Sequence, residues 1–309
     1  MLNTPDFPAR LTLELTNRCN YQCEMCPSRW QPDAVKGLME PGMFHRLIDE
    51  AAEHLPVTLV PFFRGESLVH PQAVELIAYA KKRGISPIQL ACNGWLLDHA
   101  AASGLLSAGV DFLSFSLDTV SPEEYRVIRK GGELAQVMAN IDHFLELRQA
   151  GGYATTVQVS ATRTSINQDS IQEFINFWQG RVDRIRIYYE HSTDGHAGSL
   201  SCPEVPSDLP RQPCHKPFED MVVYFDGGAA ACNHDWLRTP PLGSLTNSSI
   251  HSVWHNQNYQ DLRNQHLNTN TLNDSSCITC DHWKLYYLDT PFIGELYQAS
   301  REDSHVRQA

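Results

Sequence analysis

"CNYQCEMCPS", residues 19–28, places Cys19, Cys23 and Cys26 in a C-x3-C-x2-C array just behind the alternating stretch "RLTLELT" (10–16). The alternation predicts a strand. A loop leaving a strand can fold three thiolates around one small inorganic body, which an extended strand cannot do. Four thiolates complete the usual ligand set of a [4Fe-4S] cluster, so three leave one iron open to a small-molecule ligand. A structural zinc site commonly takes four ligands in paired arms, and no histidine stands close enough to Cys26 to finish this set locally.

Outward from this loop, short apolar runs alternate with amphipathic stretches as far as about Ile187, the pattern of successive βα units on a parallel sheet. Strands are predicted in "VTLVPFF" (57–63), "PIQLACNG" (87–94), "FLSFSLD" (112–118), "TVQVSATRTSIN" (156–167) and "VDRIRIYYEH" (182–191). Helices are predicted in "PGMFHRLIDEAAEHL" (41–55), "PQAVELIAYAKKRG" (71–84), "LDHAAASGLLSAG" (97–109), "LAQVMANIDHFLELRQAG" (134–151) and "SIQEFINFWQG" (170–180). About six such units give an α/β chain with a partial (β/α)6, TIM-like barrel over residues 1–190, with sites at the C-terminal ends of its strands. Residues 191–213, rich in Gly, Pro and Ser, read as a linker. Residues 214–309 read as a small α+β module whose "MVVYFDGGAAAC" (221–232) forms a hairpin turned at Asp226-Gly227.

The 309 residues carry 24 Lys and Arg against 36 Asp and Glu, a formal charge of -12 that disfavours nucleic acid and agrees with a cationic substrate. No signal-like stretch precedes the cysteine loop, and no apolar run approaches the ~20 residues that span a bilayer, so no membrane contact and a cytoplasmic location are expected. Nine cysteines in a reducing compartment point to metal or catalysis rather than disulfides. Two tight groups of them suggest two inorganic sites. Cys214, Cys232, Cys277 and Cys280 make the second group, and their spacing leaves structural zinc and an iron–sulfur cluster both open.

"CNYQCEMC" resembles the signature of the radical S-adenosylmethionine (SAM) superfamily, whose members bind SAM at the open iron. "RGES" (64–67) is similar to that family's Gly-Gly-Glu-Pro motif, "ACNGWLLD" (91–98) to its Thr-Asn-Gly segment, and "SFSLDTVSPEEYRVIR" (114–129) to its fourth-strand segment. The resemblance implies that Glu66 meets the SAM amino group, that Tyr21, Met25 and Asn93 lie along the cofactor, and that Ser116, Asp118, Gln158 and Ser160 point into the barrel toward its ribose or carboxylate. Met25 stands where an aromatic residue is frequent, and Arg64 and Ser67 stand where a Gly and a Pro are usual.

The stretch from Cys214 to "CITC" (277–280) resembles the C-terminal "twitch" module, a shortened SPASM domain with one auxiliary [4Fe-4S] cluster. The implied cofactors are SAM and two [4Fe-4S] clusters, the second held by Cys214, Cys232, Cys277 and Cys280, with flavodoxin or ferredoxin as external one-electron reductant. The overall pattern resembles the dehydrogenase and epimerase group acting on aminocyclitols and amino sugars, and aminoglycoside-type antibiotic biosynthesis is the implied setting. It implies oxidation of a secondary alcohol on a cationic amino-sugar substrate, the auxiliary cluster accepting the electron. Epimerisation with Cys202 or Cys92 as hydrogen donor is one alternative, and modification of a ribosomal peptide is another. A base or orienting group would come from Arg163, Tyr189, Glu190, His191 or His196, near the barrel rim and linker.

Overall fold

The structure is a computed structural model that describes residues 2–30, 32, 35–189, 209–236, 241–268, 272, 277–278, 280, 282–287 and 295–298. Six parallel strands alternate with helices: β1 (Arg10–Leu13), α1 (Pro41–Ala51), β2 (Thr58–Val60), α2 (Ala73–Lys82), β3 (Gln89–Cys92), α3 (His99–Ala108), β4 (Phe112–Ser116), α4 (Pro122–Ile128), α5 (Leu134–Ala150), β5 (Thr156–Arg163), α6 (Ile171–Trp178) and β6 (Arg184–Tyr189). There follow α7 (Lys216–Glu219), β7 (Asp220–Val223), β8 (Ala229–Ala230), α8 (Ile250–Trp254), α9 (Gln257–Leu267) and β9 (Glu295–Gln298).

The strands run β2-β1-β7-β8 in one sheet and β3-β4-β5-β6-β9 in the other. A single parallel bridge, Leu59 to Ile88, links β2 to β3 and carries the curvature from one sheet to the next. This is the expected partial barrel. Two strand additions were not legible in the sequence: β7 pairs in parallel with β1, Arg10 opposite Asp220, and β9 pairs antiparallel with β6. The hairpin expected at 221–232 does form, its turn made by Gly227 at φ 88° and closed by the Gly228 N–H on Asp226 Oδ1 at 3.2 Å.

Strand alternation sorts the side chains. Leu11, Leu13 and Leu15 of the first strand region are buried among the helices, as are Leu113 and Phe115 of β4, with Phe115 edge-on to Phe144 of α5. The other parity, Thr12, Glu14, Ser114, Ser116, Gln158 and Ser160, is polar and faces the barrel interior, so polar groups are buried in the centre of the fold.

Some boundaries differ from the sequence reading for local reasons. β2 ends at Val60 because Pro61 has no N–H for the ladder. α1 stops at Ala51, short of Leu55, and the chain is turned ahead of Pro56, whose ring disfavours helix at the preceding residue. Some helix starts carry side-chain caps. Asp98 accepts from the Ala101 N–H at 2.8 Å, and Ser121 caps α4 ahead of Pro122.

At the hub lies Glu14, fully buried. Its carboxylate accepts from Arg64 Nε at 2.7 Å and Arg64 Nη2 at 2.8 Å, and from the backbone N–H groups of Arg64 and Phe225 at 3.3 and 3.1 Å. The Arg64 guanidinium also stacks over Tyr224, 4.3 Å from the ring centroid. Removing one member of a buried ion pair leaves the other charge unpaired, which typically costs about 3–5 kcal/mol. Glu14→Gln is therefore expected to lower stability by about that amount in denaturant unfolding, and a loss under about 1 kcal/mol would show that the pair holds nothing together.

Candidate functional site

The cysteine loop leaves β1 and stays close to the strand end. Its backbone is pinned by the Cys26 N–H on the Cys23 carbonyl at 3.1 Å and by the Gln22 and Glu24 N–H groups on Lys130 and Ile128. The "RGES" loop is pressed against it. A Cβ at Gly65 would run into the Thr16 and Arg18 carbonyls, so only glycine allows this approach, and the Glu66 N–H then reaches the Arg18 carbonyl at 2.9 Å. Glu66 is thereby held beside Cys19. Ser67, at the usual proline position, donates to the Pro61 carbonyl at 2.7 Å, and Arg64 supplies the buried pair with Glu14.

A cavity of about 440 Å³ opens at these strand ends, walled by Cys19, Cys23, Cys26, Tyr21, Met25 and Glu66, and farther along by Asn93, Ser116, Arg129 and Thr162. Burial pushes the Cys19 thiol up to about 12, with Glu66, Cys23 and Cys26 adding like charge. Cys23 is also raised by burial, against the pull of Arg129, whose Nη1 lies 3.6 Å from its sulfur. Cys19 and Cys23 resist ionisation alone, which matches a centre that supplies positive charge to the three-cysteine loop. The donor set and the space beside it fit an iron–sulfur cluster with one iron open.

Glu66 accepts from the Asn93 N–H at 2.7 Å and the Leu68 N–H at 3.2 Å, yet burial pushes its carboxyl up to about 7. Asn93 bridges to Asn20 at 2.9 Å and accepts from the Trp95 N–H at 3.0 Å, so the two motif segments are one hydrogen-bonded unit. Tyr21 packs against Gly132, and its hydroxyl is 3.2 Å from that of Tyr125.

Not every residue expected at the cofactor reaches the cavity wall. Ser116 does. Asp118, at φ 71°, accepts from the Thr162 N–H at 2.8 Å and pairs with Arg129 Nε at 2.5 Å, so its carboxylate is occupied in joining β4, β5 and the segment after α4. Gln158 donates to Ser114 Oγ at 2.9 Å, one layer deeper than Ser116, and Ser160 donates to the Phe115 carbonyl at 3.3 Å. Arg129 was missed by residue-level reading. Burial alone would lower its pKa, but Asp118 and Cys23 beside it raise it and keep it charged.

Cys92 opposes Phe115 in the β3–β4 register and packs with the apolar cluster beneath the helices, and it is also part of the cavity lining. Arg163 ends β5 in an ion pair with Glu295 of β9 at 2.6 Å, away from the cavity lining. Tyr189 ends β6. Cys202, Glu190, His191 and His196 lie outside the described residues.

The second group converges as well. Cys214, Cys232, Cys277 and Cys280 surround a small cavity of about 20 Å³ together with Arg211, Lys216 and His282. Burial raises Cys232 well above its ordinary range, with Cys277 and Cys280 adding to the effect, and it pushes Cys214 up to about 11. Four converging thiols, those of Cys214 and Cys277 buried and those of Cys232 and Cys280 half-buried, with two cations nearby fit a cluster with a complete protein ligand set. His234 was not anticipated. It lines both cavities, its N–H contacts Cys232 Sγ at 3.3 Å, and its ring stacks on His282 with centroids 3.6 Å apart. No helix among the described residues is long and apolar enough to cross a membrane.

Comparison with known proteins agrees with this geometry. Residues 214–281 match the SPASM family, described as an iron-sulfur cluster-binding domain. The chain is 32% identical over 172 residues to the tungsten-containing aldehyde ferredoxin oxidoreductase cofactor-modifying protein of Pyrococcus furiosus, covering 54% of this chain and 47% of that one. It is 31% identical over 194 residues to GTP 3',8-cyclase 2 of Mycobacterium tuberculosis, covering 60% and 52%. The chain thus spans about half the length of these relatives. Among solved structures, Streptococcus suis SuiB bound to S-adenosylmethionine superposes with a TM-score of 0.68 at 15% identity, covering 94% of this chain and 77% of that one. BtrN in complex with AdoMet and 2-DOIA superposes with a TM-score of 0.54 at 13% identity, covering 84% and 86%. These likenesses concern the fold. Residues 13–177, more than half of the sequence, match the radical SAM superfamily, and the chain belongs to that superfamily, with SAM and [4Fe-4S] clusters as its cofactors.

Proposed function

We propose that the protein oxidises a secondary alcohol on a small cationic substrate, of the aminocyclitol or amino-sugar kind. The single observation that carries this reading is the shared cavity wall. The 440 Å³ cavity begins at Cys19, Cys23 and Cys26 and reaches Asn233 and His234, next to Cys232 of the second cysteine group. When bound, SAM and its cluster would supply a 5'-deoxyadenosyl radical to take the hydrogen atom from carbon, and the auxiliary cluster would accept the second electron as the hydroxyl proton leaves to solvent.

The chain's own residues do the rest. Glu66 holds a carboxylate where the SAM amino group would sit, and Met25 and Tyr21 supply apolar wall beside it. Arg64 and Arg129 also line the cavity, but Glu14 and Asp118 neutralise them. Arg10 lines the cavity as well, donating to Gln89 Oε1 at 2.9 Å, and Asp220, 3.4 Å from Lys216, is a wall carboxylate for a substrate ammonium. Phe62, Phe63 and Trp236 cover the far side and exclude water. The likeness to BtrN supports the same substrate class. A peptide substrate is the second reading, supported by the higher TM-score to SuiB, a structure also solved bound to precursor peptide SuiA.

Because the Glu66 carboxyl is raised to about 7, a protonated fraction persists near neutrality, and the ionised acceptor fills in as pH rises through that value. SAM affinity of the cluster-loaded protein is expected to increase with pH through about 7. Glu66→Gln should weaken binding roughly tenfold or more and flatten that rise, at unchanged iron content. A variant that binds SAM as tightly as the parent, with the same pH profile, excludes this role.

Anaerobic turnover with amino-sugar candidates in deuterated buffer checks the reaction. A product about two mass units lighter is expected from a two-electron oxidation, whereas an isomer carrying solvent deuterium would mean epimerisation. Modification of a supplied peptide, with amino sugars untouched, would select the second reading. Cys232→Ala should keep SAM cleavage and lose the oxidised product, and oxidation at the parent rate would remove the auxiliary site from the reaction.

A further inference from the structure

Apart from the two cysteine sites, one group of ligand-type side chains among the described residues gathers within bonding range of a single ion. Asp6, His251 and His255 present ligand atoms that all lie within 4.8 Å of one another. His251 Nε2 is 3.3 Å and His255 Nε2 is 3.9 Å from Asp6 Oδ1, and the two imidazole rings stand 4.5 Å apart. We propose that these three residues form a zinc site that clips the N-terminal segment of the chain to α8.

The sequence spacing and the fold both prepare the site. His251 and His255 are four residues apart at the end of a helical turn, which sets two imidazoles on one face, as in helical zinc motifs. α8 is fixed in place independently of any ion, because Glu50 of α1 accepts from the Ile250 and His251 N–H groups at 2.7 and 2.9 Å. The segment carrying Asp6 is fixed too, since Trp254 Nε1 donates to the Pro5 carbonyl at 2.9 Å and Phe7 stacks on His54 with centroids 4.2 Å apart. The donors therefore meet across two anchored backbones, with little ordering left for an ion to impose.

Tetrahedral zinc with bonds of about 2.0–2.1 Å has a ligand-to-ligand edge of about 3.3 Å. The first of the two carboxylate-to-imidazole distances, 3.3 Å, equals that edge, and the second, 3.9 Å, exceeds it by about 0.6 Å. Zinc would take the place of the ring protons, including the one on His255 Nε2 shared with the Asp6 carbonyl at 2.8 Å. Two imidazoles and one carboxylate suit zinc among the divalent ions, and the solvent side leaves the fourth position to water. None of the three residues lines either cysteine cavity, so the site reads as a fastening point and not as part of the redox chemistry.

The test uses the cluster-loaded protein, in which the cysteines are already engaged. Anaerobic calorimetric titration with zinc is expected to show one equivalent bound, with a zinc-edge X-ray absorption spectrum of nitrogen and oxygen neighbours only and a rise in the unfolding temperature. Asp6→Ala and His251→Ala, both on exposed side chains, should each weaken binding by at least the roughly tenfold that loss of even an outer partner costs. Absence of binding, sulfur in the zinc shell, or affinity unchanged in both variants overturns the proposal.

Discussion

A single buried carboxylate, that of Glu14, ties together the three pieces from which the reaction chamber is built. It extends from the first strand, receives the guanidinium of the "RGES" loop, and accepts the Phe225 N–H of the hairpin that leads to Cys232. Taking a carboxylate and a guanidinium out of water is costly, and the cost is recovered only when nearly every lone pair and proton is matched, as here. The geometry is consequently restrictive: any displacement of the hairpin or the loop strands a charge in the interior.

The same logic runs through the barrel interior. An inner face of serine, threonine, glutamine and arginine would be a poor core, but Gln158 with Ser114 and Asp118 with Arg129 and the Thr162 N–H satisfy one another layer by layer. The apolar core lies outside, between strands and helices, where Leu11, Leu13, Leu113 and Phe115 pack. The layers beneath the chamber are thus polar because the fold confines its apolar packing to the shell, whereas Met25, Phe62, Phe63 and Trp236 give the chamber itself a largely apolar wall.

The βα rhythm and the cysteine spacings were legible because each depends on neighbours in sequence: a period of two for strands, a face for helices, a short loop for three thiols. The Gly65–Glu66 pair was legible as a motif, and its physical reason, a contact too close for any Cβ, emerged only in three dimensions. What escaped was long-range. Nothing local marks β7 as the partner of β1, Glu14 as the partner of Arg64, or His234 as a wall shared by two cavities. The four polar strand residues show the limit well. Alternation sets Ser116, Gln158 and Ser160 on one face, but depth along the barrel, which decides that Ser116 meets the cavity and Gln158 does not, is fixed by interstrand register.

The parallel pairing of β7 with β1 also bears on how the chain is made. Arg10 and its neighbours leave the ribosome early, yet their partners from Asp220 to Val223 are synthesised long after all six βα units. Until then the first strand has one edge unsatisfied, open to wrong partners, and Glu14 lacks its Phe225 donor. Closure of the sheet is therefore a late, high-contact-order event, and the loop of three cysteines stays accessible during the interval before it. The order of synthesis leaves an opening in which iron and sulfide can be delivered to that loop before the chamber is walled off.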